Sequence, residues 1–296
     1  MKKKIIITTI IILMLVISIL AVFLIKTRAP ILGELKDFAI NSKNTFTVKN
    51  SKEYKELKKA DKTKKYYKSE KNIKIPILLY HNIPIEKSAR SEYYMSTTQK
   101  QFEKQISGLK DLGYTFITYD DLIKYYNNEL ALPEYVVLIT FDDGYLDNYE
   151  NAFPIIKKYN IPVTMFVIND CVGGPGYFSW EQAKEMENSG LVSIHTHGKT
   201  HIEYGKESEE LVRDYITYAH SNIETQLGHS TSKIFAYPYG SYSSTSIKTL
   251  SDIGFVQNLL GEKYNTSDTL NLNQLNRIFV KQNYSVETIL KLILLN

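Results

Sequence analysis

The sequence predicts an α/β domain in which about seven parallel strands, interleaved with helices, roll into an incomplete barrel. Two observations predict it. From residue 75 onward, short apolar runs at 75–80, 114–117, 136–141, 163–168, 191–195, 234–237 and 255–259 read as strands, while 98–112, 145–159, 180–189 and 208–227 carry helical spacing. The chain of 296 residues has room for one large domain plus an appendage, and no repeat of fixed period divides it.

The appendage is N-terminal. Residues 5–25 have only Thr8, Thr9 and Ser18 as polar interruptions, long enough to cross a hydrocarbon core as one helix. Lys2, Lys3 and Lys4 before it place the N-terminus inside and the remainder outside. Residues 1–26 therefore read as a membrane anchor or signal segment, 27–73 as a lysine-rich linker and 74–296 as the catalytic domain. The predicted location is the cell membrane, single-pass with the catalytic domain outside, or secretion if the segment is cleaved. The net charge of +4 is modest, and its lysines crowd the linker rather than the folded part. That argues against a nucleic-acid partner, and no obligate protein partner is evident. Cys171 is the only cysteine, so a Cys-based zinc cluster is excluded and metal ligands must be His and carboxylate.

In a parallel α/β fold the chemistry gathers at the C-terminal ends of strands. One predicted strand ends in Thr140-Phe141-Asp142-Asp143-Gly144. Adjacent acids cannot point the same way, so one suits cation ligation and the other proton abstraction from water. Taken alone, an Asp-Asp-Gly turn is also common on surfaces. The next candidate is His195-Thr196-His197-Gly198-Lys199-Thr200-His201, three of six histidines within seven residues. His197 and His201, four apart, can present both imidazoles to one ion, and a carboxylate from another strand completes a set with open positions. His195 would lie deeper on the same face. The third element, Tyr237-Pro238-Tyr239-Gly240, is a rigid turn able to aim the Tyr239 N–H at an oxyanion.

In this order the three stretches resemble the motifs of the polysaccharide deacetylases, carbohydrate esterase family 4 or the NodB-homology group. Leu79-Tyr80-His81-Asn82-Ile83 and Trp180-Glu181-Gln182 match further, so the resemblance runs from about Ile75 to the C-terminus. It implies a distorted (β/α) barrel and one divalent ion, Zn²⁺ ahead of Co²⁺, Ni²⁺ or Fe²⁺. It also implies Asp142 as base, Asp143, His197 and His201 as ligands, and hydrolysis of N-acetyl groups on N-acetylglucosamine polymers.

Two departures matter. Many members carry an arginine before the proline motif that orients the base, whereas this chain has Ala236 and Tyr237. Many also end in a Leu-x-Leu-His segment whose histidine protonates the amine, and the C-terminus here has no histidine. His81, following an apolar strand, is the candidate acid, an arrangement similar to the subgroup acting on poly-β-1,6-N-acetylglucosamine, in biofilm matrix and adhesion. Tyr80, Trp180 and Tyr239 are expected near the cleft as sugar-stacking surfaces, with Pro238 and Gly240 shaping it. Competing expectations are a peptidoglycan or chitooligosaccharide deacetylase, an O-acetyl xylan-type esterase, and an inactive glycan-binding module.

Overall fold

The computed structural model describes residues 39–45, 47–59, 65–68, 71–86, 95–261 and 263–295. Contacts divide the chain into Met1–Thr47 and Val48–Asn296. In the first unit, residues 39–45 are helical. The second holds strands β1 (Ile77–Tyr80), β2 (Thr115–Phe116), β3 (Val136–Phe141), β4 (Val163–Val167), β5 (Val192–Thr196), β6 (Ile234–Ala236), β7 (Val256–Gly261) and β8 (Leu275–Phe279). Its helices are α1 (Lys52–Lys59), α2 (Gln99–Asp111), α3 (Tyr119–Tyr126), α4 (Phe153–Tyr159), α5 (Trp180–Asn188), α6 (Glu209–Leu227), α7 (Ser244–Asp252) and α8 (Val286–Leu294).

The predicted membrane location is corrected: among the described residues no helix is long and apolar enough to cross a membrane. Residues 5–25, on which that expectation rested, lie outside the described residues.

Seven strands pair in parallel in the order β1-β8-β7-β6-β5-β4-β3, and β3 pairs with β1 again, with Ile77 opposite Leu138 and Tyr80 opposite Phe141. The sheet is thus a closed (β/α) barrel, where an incomplete one was expected. The strand at Thr115, counted among the seven, lies beside the first residues of β3 outside the ring. Its place is taken by β8, whose sequence Leu275-Asn276-Arg277-Ile278-Phe279 shows no continuous apolar run. Closure leaves no ring strand with an open edge, and burial on both faces explains why Val136–Phe141 is apolar almost throughout and entirely buried.

Alternation along each strand sorts side chains into two layers. Ile77, Val136, Leu138, Phe166, Ile234, Val256 and Leu275 fill the barrel interior. Leu78, Tyr80, Val137, Ile139, Phe141, Met165 and Ile194 point outward into a core completed by Phe102 and Ile106 of α2, Ile156 of α4 and Ile289 of α8. A third cluster, including Phe235, Tyr237 and Leu259, packs under Val212 and Ile216 of α6 and Leu250 of α7. Helix starts are marked by side-chain caps. Thr118 and Ser179 each form a capping box, with Asp121 and Gln182 respectively.

Candidate metal and active site

The inward alternation delivers the site. Asp142, the first residue after β3, is aimed inward and only 2% exposed, its N–H bonded to the Tyr80 carbonyl of the neighbouring strand at 3.0 Å. The chain then turns at Asp143, with φ of 76°, and Gly144, with φ of 83°. A Cβ on Gly144 would lie 3.1 Å from Val167 Cγ1. Four described non-glycine residues have positive φ, and two of them, Asn128 and Asn160, are asparagines, which tolerate it. The other two are Asp143 and Tyr239, both in the site, where local strain is held by surrounding structure.

Asp143 Oδ1 lies 3.4 Å from His197 Nε2 and 3.4 Å from His201 Nε2. The three residues can bring one ligand atom each within 4.8 Å of one another. His197 is buried, and its Nδ1 lies 2.8 Å from the Ala236 carbonyl. A carbonyl only accepts, so Nδ1 carries a proton, and Nε2 is the ring nitrogen that faces the site and is available to a metal. Asp143 Oδ1 is buried without a hydrogen-bond partner, a state that a cation would satisfy. Two imidazole nitrogens and a carboxylate suit a Zn²⁺-type ion with open positions for water and substrate, so the residues fit the group that the family resemblance implies.

Arg277, on β8, joins the site although no sequence motif marks it. Its Nη1 and Nη2 donate to Asp142 Oδ1 and Oδ2 at 2.6 and 2.7 Å, both residues buried, and its guanidinium lies over the Phe166 ring at 5.4 Å. Burial would raise the Asp142 carboxyl, but the guanidinium outweighs it and holds the group below the usual carboxylate range. Asp142 Oδ2 also faces His197 Nε2 at 3.8 Å. The arginine absent before the proline motif is thus supplied from another strand. A lone arginine among Leu275, Ile278 and Phe279 was the available signal.

Asp143 is likewise held low: burial opposes its charge, and the facing His197 and His81 imidazoles favour it more strongly. His81 follows β1 and is 7% exposed, with Nδ1 unpaired and its ring 5.6 Å from that of Phe279. Burial lowers its proton affinity, opposed by Asp142 and Asp143.

Tyr80 is a correction. Adjacent strand residues face opposite ways, so Tyr80 and His81 cannot both meet the cleft. Tyr80 is fully buried outside the barrel, its ring 5.2 Å from that of Phe102 and its hydroxyl donating to Gln105 Oε1 at 3.0 Å. His195, also interior, turns to the Ser232 carbonyl at 3.1 Å, and burial lowers its pKa to about 4. Trp180 opens α5 half-buried against the outer core.

Pro238 is buried in the turn after β6, while Tyr239, with φ of 56°, is 64% exposed and lays its ring 4.3 Å from that of His201. At Gly240 a Cβ would meet Leu260 Cβ at 2.6 Å, so the turn accepts no larger residue without movement.

Residues 129–257 match the polysaccharide deacetylase family model. The chain is similar to YxkH of Bacillus subtilis, named for the same family, at 31% identity over 228 residues, covering 77% of this chain and 79% of that one. It is 31% identical over 214 residues to the poly-beta-1,6-N-acetyl-D-glucosamine N-deacetylase of Staphylococcus epidermidis, with 66% and 71% covered. Among solved structures, the Streptococcus pyogenes deacetylase PplD in complex with acetate superposes with a TM-score of 0.69 at 27% identity, covering 75% of this chain and 99% of that one.

Proposed function

The chain belongs to the polysaccharide deacetylase family and is a carbohydrate deacetylase; from that premise we propose that it hydrolyses N-acetyl groups on poly-β-1,6-N-acetyl-D-glucosamine, in a metal-dependent reaction. The observation that carries this reading is the convergence of Asp143, His197 and His201 beside an Asp142 clamped by Arg277. The relative in Staphylococcus epidermidis, which bears that substrate in its name, supports the choice of polymer.

Asp143, His197 and His201 would hold a divalent ion, Zn²⁺ first. Such an ion supplies polarisation of the acetyl carbonyl and a lowered pKa for water. Asp142, kept ionised by Arg277, takes a proton from the attacking water. The Tyr239 N–H, aimed by the strained turn, donates to the oxygen that gains charge as the carbonyl becomes tetrahedral. His81 gives a proton to the departing nitrogen, and its burial makes the charged form a readier donor. The carbon–nitrogen bond breaks, acetate leaves, and the sugar keeps a free amine. Tyr239, with its exposed ring, offers a stacking surface to the sugar. Each amine adds positive charge to the polymer, strengthening its attraction to anionic surfaces, a property suited to a biofilm matrix.

The test is acetate release by the full chain from β-1,6- and β-1,4-linked N-acetylglucosamine oligomers, peptidoglycan and O-acetylated xylan. Fastest release from the β-1,6-linked oligomer is expected, and Asp142→Asn should lower kcat by about 10²- to 10⁴-fold. Release only from the xylan, or from nothing, would overturn the assignment.

A further inference from the structure

The chain between the Asp pair and α4 does something that neither family motif nor metal site explains. Residues Asn148–Ala152 form a single π-helical turn, in which the Phe153 N–H reaches back five residues to the Asn148 carbonyl. The sequence accounts for the widened register: Pro154 has no N–H to return to Glu150, and its ring would crowd that carbonyl in an α-helix. Such turns recur where a site needs a particular side-chain placement.

Here the turn grips the loop carrying His81. Asn148, fully buried, donates from Nδ2 to the His81 carbonyl at 2.8 Å and lies 3.1 Å from Asp147 Oδ1. Both of those partners accept, so the amide has only one workable orientation. Asn151 Nδ2 donates to the Ile83 carbonyl at 2.8 Å. Asp147 accepts from the Ile83 N–H and from the Asn82 side chain. Three side chains, that of Asp147 just before the turn and those of Asn148 and Asn151 within it, thus hold three consecutive residues of the loop. The same turn begins five residues after Asp143, so it ties the end of β1 to the end of β3.

We infer that Asn148 is a positioning residue for His81, setting where its imidazole stands over the site through His81's own carbonyl, with Asp147 and Asn151 holding the next two residues. This rests on the reading of His81 as proton donor to the leaving amine. A misplaced donor affects only reactions whose leaving group needs a proton. An acetamide needs one; a nitrophenyl acetate, whose phenolate leaves unaided, does not.

The experiment compares kcat/KM of the full chain on a β-1,6-linked N-acetylglucosamine oligomer and on nitrophenyl acetate, and reads their ratio, with bound metal and unfolding midpoint measured on each variant. His81→Ala should lower the ratio by about 10²-fold or more. Asn148→Ala should lower it by about 10- to 100-fold at unchanged metal content. Asn148→Ser, which keeps a shorter donor, should recover part of the loss. If Asn148→Ala does not fold, Asn151→Ser, which loosens the loop two residues on, should shift the ratio in the same direction. An unchanged ratio in the Asn148 and Asn151 variants, beside a lowered one in His81→Ala, overturns the positioning role and leaves the donor standing. An unchanged ratio in His81→Ala overturns both. Equal losses on both substrates, accompanied by loss of metal, would mark Asn148 as structural and overturn the inference.

Discussion

The two arcs of the barrel contribute to the site in different ways. The arc from β3 to β6 carries Asp142, Asp143, His197, His201 and Tyr239 directly at or just after strand ends, each within a short contiguous motif. The closing arc, β7, β8 and β1, contributes single residues: Arg277 from the middle of a strand and His81 from a loop gripped by distant side chains. The first arc needs only local geometry to assemble its groups. The second has a role in the site only because β1 pairs with both β8 and β3, which brings residues 135 positions apart into a two-pronged ion pair.

Arg277→Met perturbs the closing arc most severely. It would leave the Asp142 carboxylate buried and unpaired, and should cost about 3–5 kcal/mol in urea unfolding. The double variant with Asp142→Leu should restore most of that stability while remaining inactive. A loss below about 1 kcal/mol in the single variant would mean that the closing arc does not hold the base.

A smaller effect tests the grip on the His81 loop through pH. Burial raises the Asp147 carboxyl from 3.8 to about 6 in the folded protein, ahead of the hydrogen bonds from Ile83 and Asn82 that lower it. Between those two values the folded state binds more protons than the unfolded state, so stability falls as pH rises through the window, by up to about 3 kcal/mol. Asp147→Asn should flatten that slope in denaturant titrations run at several pH values. A slope unchanged in the variant would show that Asp147 is not its source.

The smallest expected effect is on the first arc. Tyr239→Ala keeps a main-chain N–H but removes the exposed ring beside His201, and should weaken substrate binding by about 1 kcal/mol, read as a several-fold rise in KM with kcat little changed. A fall in kcat alone would shift the importance of this residue from its ring to its strained backbone.

The legible part of the fold followed from pattern. Six of the seven ring strands coincide with predicted runs, four of them wholly within the predicted bounds while β5 and β7 extend one and two residues further, because a strand buried on both faces must be apolar along its length. Residues 275–279 lack that pattern, because Asn276 and Arg277 interrupt the apolar run. The residues at 114–117 look like a strand and form one, yet pair only at the margin of β3. Tyr80 shows a finer limit. Its neighbourhood suggested the cleft, while strand alternation, also present in the sequence, sends it outward once His81 faces in.

By itself the sequence determined the strand-end motifs, the two imidazoles four residues apart and the adjacent carboxylates, since these depend on spacing along a few residues of chain. Only the tertiary structure decided that the barrel closes, that β8 lies beside β1, and that Arg277 therefore reaches Asp142. A buried charge finds its partner through strand order, and strand order is a property of the closed ring that no local pattern encodes.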